Sequence, residues 1–238
     1  MEGRKVMKRL AFFAVCLLVQ GTLFAEETPV HWEYFEPGID YTRRLRVTAA
    51  TTGWEIVSEP APDTSGKSLK LTFDFSKSNR QGVLVFDLPL LAFDRIRFRI
   101  WNPNPSTIPI YIHLSAFQAT SIGAFKESIS FVTRYYGDPV DAPVTPEMKS
   151  HFLNPSKPSS PLPDSRDAGW IVYEALLPRD IVDVVANGAH RPLNPAEESG
   201  WKKFALPTIA VMFETTPKAF GKGPVSLYLD DFELFLSK

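Results

Sequence analysis

The sequence predicts an all-β sandwich, and three observations carry that reading. Segment after segment alternates apolar and polar residues, the two-residue period of a half-buried strand. The segments are separated by turn residues at the spacing of sandwich folds, and the chain holds 21 prolines and 13 glycines to supply them. Helical periodicity is confined to one short stretch, so a parallel sheet with crossover helices is disfavoured. No repeat of solenoid or propeller period is present. The count comes to roughly eight to ten strands, one long Pro-rich loop and one short helix.

The N-terminal stretch stands apart. Arg4, Lys5, Lys8 and Arg9 precede an apolar run from Leu10 to Val19, and Thr22-Leu-Phe-Ala25 follows just before Glu26-Glu27. This is the pattern of a secretory signal, and the run falls short of the roughly 20 residues that span a bilayer. Residues 1–25 are therefore read as a signal peptide and 26–238 as a single domain, with no stable membrane span after cleavage. Cys16 is the only cysteine, and the branched Val15 before it argues against lipid attachment there. The exported chain would hold no disulfide and must stand on its core alone. That suits the periplasm, with secretion beyond the cell as the alternative. A formal charge of −1 gives no general attraction to nucleic acid or anionic lipid.

Each element follows from its residues. His31 to Gly38 reads as an aromatic edge strand running into a turn. Tyr41 to Arg46 reads as a solvated basic edge. Trp54 to Ser58 is a brief strand, and Glu59 to Gly66 a loop. Ser68 to Phe75 turns Leu69, Leu71, Phe73 and Phe75 inward and Lys70, Thr72 and Asp74 outward. After a turn, Gly82 to Phe86 is a buried strand. Asp94 to Trp101 puts Ile96, Phe98 and Ile100 on the core face. Arg95, Arg97 and Arg99 form a ladder on the other face, spaced about 7 Å along the strand. Ile108 to Leu114 alternates again, with Pro109 at its start, and Phe125 to Thr133 is a further strand.

Arg134 to Gly169 is Pro-rich and poor in aliphatics, and 134–168 is read as a loop excursion with Phe152 and Leu153 as docking side chains. Gly169 to Leu177 returns to strand. Pro178 to Gly188 reads as the short helix, with Pro in the first turn and Asn-Gly at the close. Asn194 to Gly200 reads as a loop and Thr208 to Phe213 as a buried strand. A tight turn around Gly221-Lys-Gly223 leads into Pro224 to Leu236. In that last stretch Val225, Leu227 and Leu229 alternate cleanly, the phase slips at Asp230-Asp231, and Phe232, Leu234 and Leu236 resume. An extra residue of this kind is a β-bulge. A strand so apolar belongs in a sheet interior.

Catalytic chemistry is not legible. His31, His113, His151 and His190 are scattered, with no paired ligand spacing for a metal. No nucleophile elbow or phosphate loop is present. Carboxylates for glycoside hydrolysis exist, but nothing pairs them across a cleft. The chain is read as a non-enzyme.

Two resemblances follow. Phe35-Glu36, the Ser-Leu-Lys-Leu strand and the terminal Leu-Tyr-Leu-Asp-Asp-Phe-Glu-Leu resemble the galactose-binding-like jelly roll of carbohydrate-binding modules. That resemblance implies a jelly-roll sandwich in which Glu36 and Asp230 or Asp231 are candidate oxygen ligands of a structural calcium, completed by backbone carbonyls. The alternative is that both aspartates cap the bulge. It also implies a glycan partner, for which Trp32, Trp54, Trp101 and Trp170 are candidate platforms, with Trp201 also available. The second resemblance is to the flagellar filament outer-layer (sheath) proteins of spirochaetes. It lies in the signal ending Leu-Phe-Ala before Glu-Glu, the cysteine-free body and the single long loop. It implies a non-enzymatic assembly protein of the periplasmic flagellum with protein partners and no cofactor. Arg95, Arg97, Arg99, Tyr135 and Tyr136 are its candidate interface, since Arg and Tyr are enriched at protein contacts. The sheath component is the leading expectation, and a secreted or periplasmic carbohydrate-binding module is the alternative.

Overall fold

The computed structural model describes residues 28–36, 39–58, 60, 66–75, 81–89, 91–118, 129–138, 160–186, 188–203, 206–215 and 223–237. Residues 1–25, 139–159 with Phe152 and Leu153, and Gly221 with Lys222 lie outside the described residues, as do the expectations placed on them.

The strands are β1 (His31–Glu33), β2 (Leu45–Ala49), β3 (Thr51–Ser58), β4 (Lys67–Phe73), β5 (Gln81–Asp87), β6 (Arg95–Trp101) and β7 (Ile110–Gln118). They continue with β8 (Ile129–Thr133), β9 (Ile171–Leu176), β10 (Ile181–Ala186), β11 (Ala189–Arg191), β12 (Thr208–Thr215) and β13 (Val225–Phe235). Among the described residues two short α-helices interrupt them, α1 (Ser165–Ala168) and α2 (Pro195–Ser199). A front sheet runs β3-β4-β13-β6-β9, with β1 also on β13; a back sheet runs β11-β10-β8-β7-β12-β5-β2. All recorded pairings are antiparallel. This is an all-β jelly-roll sandwich, as the alternation predicts.

The core lies between the sheets and is built from the predicted inward faces. Leu69, Leu71 and Phe73 of β4, Ile96, Phe98 and Ile100 of β6, and Ile110, Ile112 and Leu114 of β7 are all fully buried. Phe232 of β13 joins the layers: its ring stacks on Phe86 of β5 at 4.1 Å and on Phe98 at 5.8 Å. The layers meet closely elsewhere too. A Cβ on Gly82 would lie 2.3 Å from the Phe73 ring, so only glycine fits there. β2 and β3 are separated by Ala50 alone and belong to different sheets, which folds the chain round one side of the sandwich.

Several expectations are corrected. The described residues contain thirteen strands, more than the eight to ten predicted. The basic stretch at Tyr41–Arg46 is a solvated edge as expected: a short 3-10 turn leads into β2, the edge strand of the back sheet, with Arg44 and Arg46 exposed. Pro178 to Gly188 is not a helix: a turn is closed by the Asp180 N–H on the Leu176 carbonyl, and β10 follows. Ile181, Val182, Val184 and Val185 are β-branched and favour the pleated sheet over a helix. Where a helix end was expected, Ala186 pairs with Ala189 in a hairpin and Gly188 takes φ 78°. Conversely, Asn194 to Gly200 is helical. The Asn194 side chain accepts from the Glu197 N–H and the Glu197 carboxylate accepts from the Asn194 N–H, a capping box around α2.

Candidate functional site

The bulge in β13 organises the outer face of the front sheet. Asp230 pairs with Arg99 and Glu233 with Arg97, so three steps on β13 match two on β6. Asp231 is the extra residue and takes φ 48°, in the left-handed region that aspartate tolerates better than most side chains. Its insertion turns two consecutive carboxylates toward one guanidinium. Arg99 lies 2.8 Å from Asp230 and 2.5 Å from Asp231, and Arg97 lies 2.6 Å from Glu233. Arg95 and Arg97 also lie over the Phe235 ring, at 4.1 and 5.0 Å. That cover explains why an outward phenylalanine is only 1% exposed. Arg99 in turn stands 4.8 Å over the Trp170 ring, whose edge meets Trp101.

Beside this charged row runs β1. Its register sets Trp32 opposite Glu233, on the outer face. Val30, Trp32 and Tyr34 follow one another at two-residue spacing and are exposed by 46, 51 and 37%. They are three of the five exposed large apolar side chains among the described residues. The Tyr34 hydroxyl donates to Glu233 at 3.1 Å; burial and the Glu233 carboxylate hold its phenol above the ordinary value. Phe35 next in line takes φ 53° and buries its ring against Tyr41, which turns the chain away and leaves Trp32 and Tyr34 facing solvent. An apolar stripe bordered by paired charges is the result. Such contiguous exposed apolar area marks a binding surface.

The outer face of the back sheet is built differently. Glu214 of β12 accepts hydrogen bonds from Gln81 at 2.8 Å and from the Tyr135 hydroxyl at 2.6 Å, and His113 stands 3.4 Å from it. His113 is fully buried with its ring edge-on to Tyr135. Burial alone would raise the Glu214 pKa, but His113, Tyr135 and Gln81 outweigh it and hold the carboxyl below its ordinary value. Burial, with the Glu214 charge beside it, pushes the Tyr135 phenol well above its own. The cluster ties the residues after β8 down onto β12.

The structure redistributes the residues singled out in the sequence. Arg95, Arg97 and Arg99 do share one outward face, but as ring-covering and ion-paired side chains. Tyr135 is buried on Glu214 and Tyr136 is half-buried, and both line a cleft beside β9. Of the tryptophans, Trp32 alone is exposed. Trp54 packs against the core, Trp101 is buried, Trp170 lies under Arg99, and Trp201 is in the core with its indole N–H on the Phe93 carbonyl. The calcium reading does not fit. Asp230 and Asp231 already face a guanidinium, a fixed positive charge where the metal would sit. Glu36 is exposed, and the described residues hold no cluster of three metal-ligating side chains. The sequence did not single out Val30 and Tyr34, although their alternation with His31, Glu33 and Phe35 carried the signal. The Glu214 cluster had no local signal, because His113 is 101 positions away.

No family model and no curated protein matches the chain. Several solved structures are similar to it. One is a family 11 carbohydrate-binding module from Clostridium thermocellum in complex with a β-1,3-1,4-mixed-linked tetrasaccharide, 10% identical over 89% of this chain and 92% of that one, with a TM-score of 0.43. Another is a xylan-binding domain of family 22 from Paenibacillus barcinonensis, 12% identical over 89% and 97%, with a TM-score of 0.40. A third is a carbohydrate-binding module from Caldicellulosiruptor saccharolyticus in complex with mannohexaose, 11% identical over 79% and 84%, with a TM-score of 0.36. Among the described residues no helix is long and apolar enough to cross a membrane.

Proposed function

We propose that this protein is an exported, non-catalytic glycan-binding module that takes its ligand on the outer face of the front sheet. The observation that supports this is the stripe of Val30, Trp32 and Tyr34 beside the Arg97–Glu233 and Arg99–Asp230 pairs. A sugar ring offers an apolar C–H face and a rim of hydroxyls. The first suits an aromatic platform; the second suits a neighbouring row of guanidinium donors and carboxylate acceptors. Trp32 is the platform, Tyr34 extends it, and Glu233 and Arg97 orient the hydroxyls. Arg97 and Arg99 already have carboxylate partners, so the ligand that fits is a neutral glycan rather than an acidic one. The sheath reading placed its contact on the arginine ladder. With Arg97 and Arg99 engaged in ion pairs, glycan binding takes first place here.

Isothermal titration against soluble xylan, mannan and mixed-linked β-glucan tests the proposal. One of them binds, and Trp32→Ala abolishes that binding while the urea midpoint stays in place. If none of the three binds, or if Trp32→Ala binds as well as the parent, the reading is wrong.

A further inference from the structure

We infer that the free edge of β9 is a contact surface for a second copy of this chain, the two strands pairing antiparallel about a two-fold axis at Tyr173. The inference starts from hydrogen-bond directions. β9 ends the front sheet and pairs on one side with β6. The Leu176 N–H donates away from β6, to Asp180 at 2.7 Å, while the Leu177 N–H donates to the Asp94 carbonyl on the β6 side. Directions alternate along an antiparallel strand. Val172 and Glu174 therefore share the direction of Leu176 and present their N–H and C=O groups to the open edge. At Leu176 the edge is already closed by Asp180, the kind of block that natural sheets use against edge pairing. At Val172 and Glu174 no strand of the described residues closes it, and a cleft of about 240 Å³ runs alongside.

This short row is self-complementary. A two-fold at Tyr173 sets Val172 opposite the partner's Glu174, and Glu174 opposite the partner's Val172. Both are then hydrogen-bonded pairs, four backbone bonds in all by the antiparallel rule. Side chains agree with the register. Val172 is the most exposed large apolar side chain among the described residues, at 54%, and it meets the Glu174 stem rather than a like charge. The two front sheets become one continuous sheet. This rests on main-chain geometry and is independent of glycan binding.

Light scattering after size exclusion across a concentration series tests it. The parent protein gives a concentration-dependent dimer. Val172→Glu sets a carboxylate opposite the partner's Glu174 at both symmetric positions and weakens the dimer about tenfold or more. Val172→Glu with Glu174→Lys restores attraction across the same pairs and recovers the dimer. Both side chains are exposed, so circular dichroism, and the urea midpoint at concentrations where the parent is monomeric, stay as in the parent. A parent protein that is monomeric at every concentration overturns the inference. So does a dimer that ignores Val172→Glu, or one that the double variant fails to restore.

Discussion

The front sheet turns Arg97, Arg99, Asp230 and Glu233 outward, and the back sheet turns Gln81, His113 and Glu214 outward. Both faces arise from the same alternation along long central strands, and both centre on carboxylates. On the front face the carboxylates meet arginines, whose charge is fixed and whose long stems lie over Phe235 and Trp170. The face stays polar, ordered and open, and it leaves Trp32 exposed beside it. On the back face Glu214 meets a buried histidine, a tyrosine hydroxyl and an amide, and Tyr135 comes down over the strand. The same strand pattern makes a recognition surface where solvent remains and a structural anchor where the chain returns to cover it.

The largest expected effect breaks both regions together. Phe232 spans the layers beneath the bulge, so Phe232→Ala should cost about 3–5 kcal/mol in urea unfolding and loosen both faces. Glu214→Ala comes next. It leaves the Tyr135 hydroxyl and a buried His113 without their acceptor, an expected loss of about 2–3 kcal/mol. Tyr135→Phe removes one bond of the same cluster and should cost about 1.5 kcal/mol. If Glu214→Ala costs no more than Arg97→Ala, the contrast drawn between anchor and surface is wrong.

Acid sharpens the contrast. Because the Glu214 pKa is lowered in the folded protein, its contribution is complete above the unfolded value of 4.5 and is lost as pH falls through the lower folded value. Glu33 behaves alike: burial raises its pKa, but His31 and Arg44 lower it further. Urea midpoints of the parent should fall with pH below about 4.5, and Glu214→Gln should flatten that fall. Arg97→Ala is smaller still. Its side chain is 42% exposed, so the solvent-screened pair with Glu233 should contribute below about 1 kcal/mol. Trp32→Ala should sit at the bottom of the stability scale, within about 0.5 kcal/mol, while removing ligand binding altogether.

Much of this architecture was legible before any coordinates. The inward faces of β4, β6 and β7, the arginine ladder and the bulge at Asp230-Asp231 follow from a period of two and one slip in it. Those signals are local, since neighbouring residues on a strand must point to opposite sides of a sheet. Pro178–Gly188 holds a strand and not the expected helix because Ile181, Val182, Val184 and Val185, all β-branched, lie between its turn residues. What the sequence by itself determined, then, was which residues are strand and which face of each is apolar. Only the tertiary structure decided which outward residues meet. Arg99 and Asp230 are 131 positions apart, and Tyr135 and Glu214 are 79. Strand order sets such pairings, and strand order follows from closing both layers over one core. Trp32 and Trp101 are alike in composition and alternation. One lies on a short strand at the rim and the other in a covered row, and that difference in neighbours makes one a platform and the other a support.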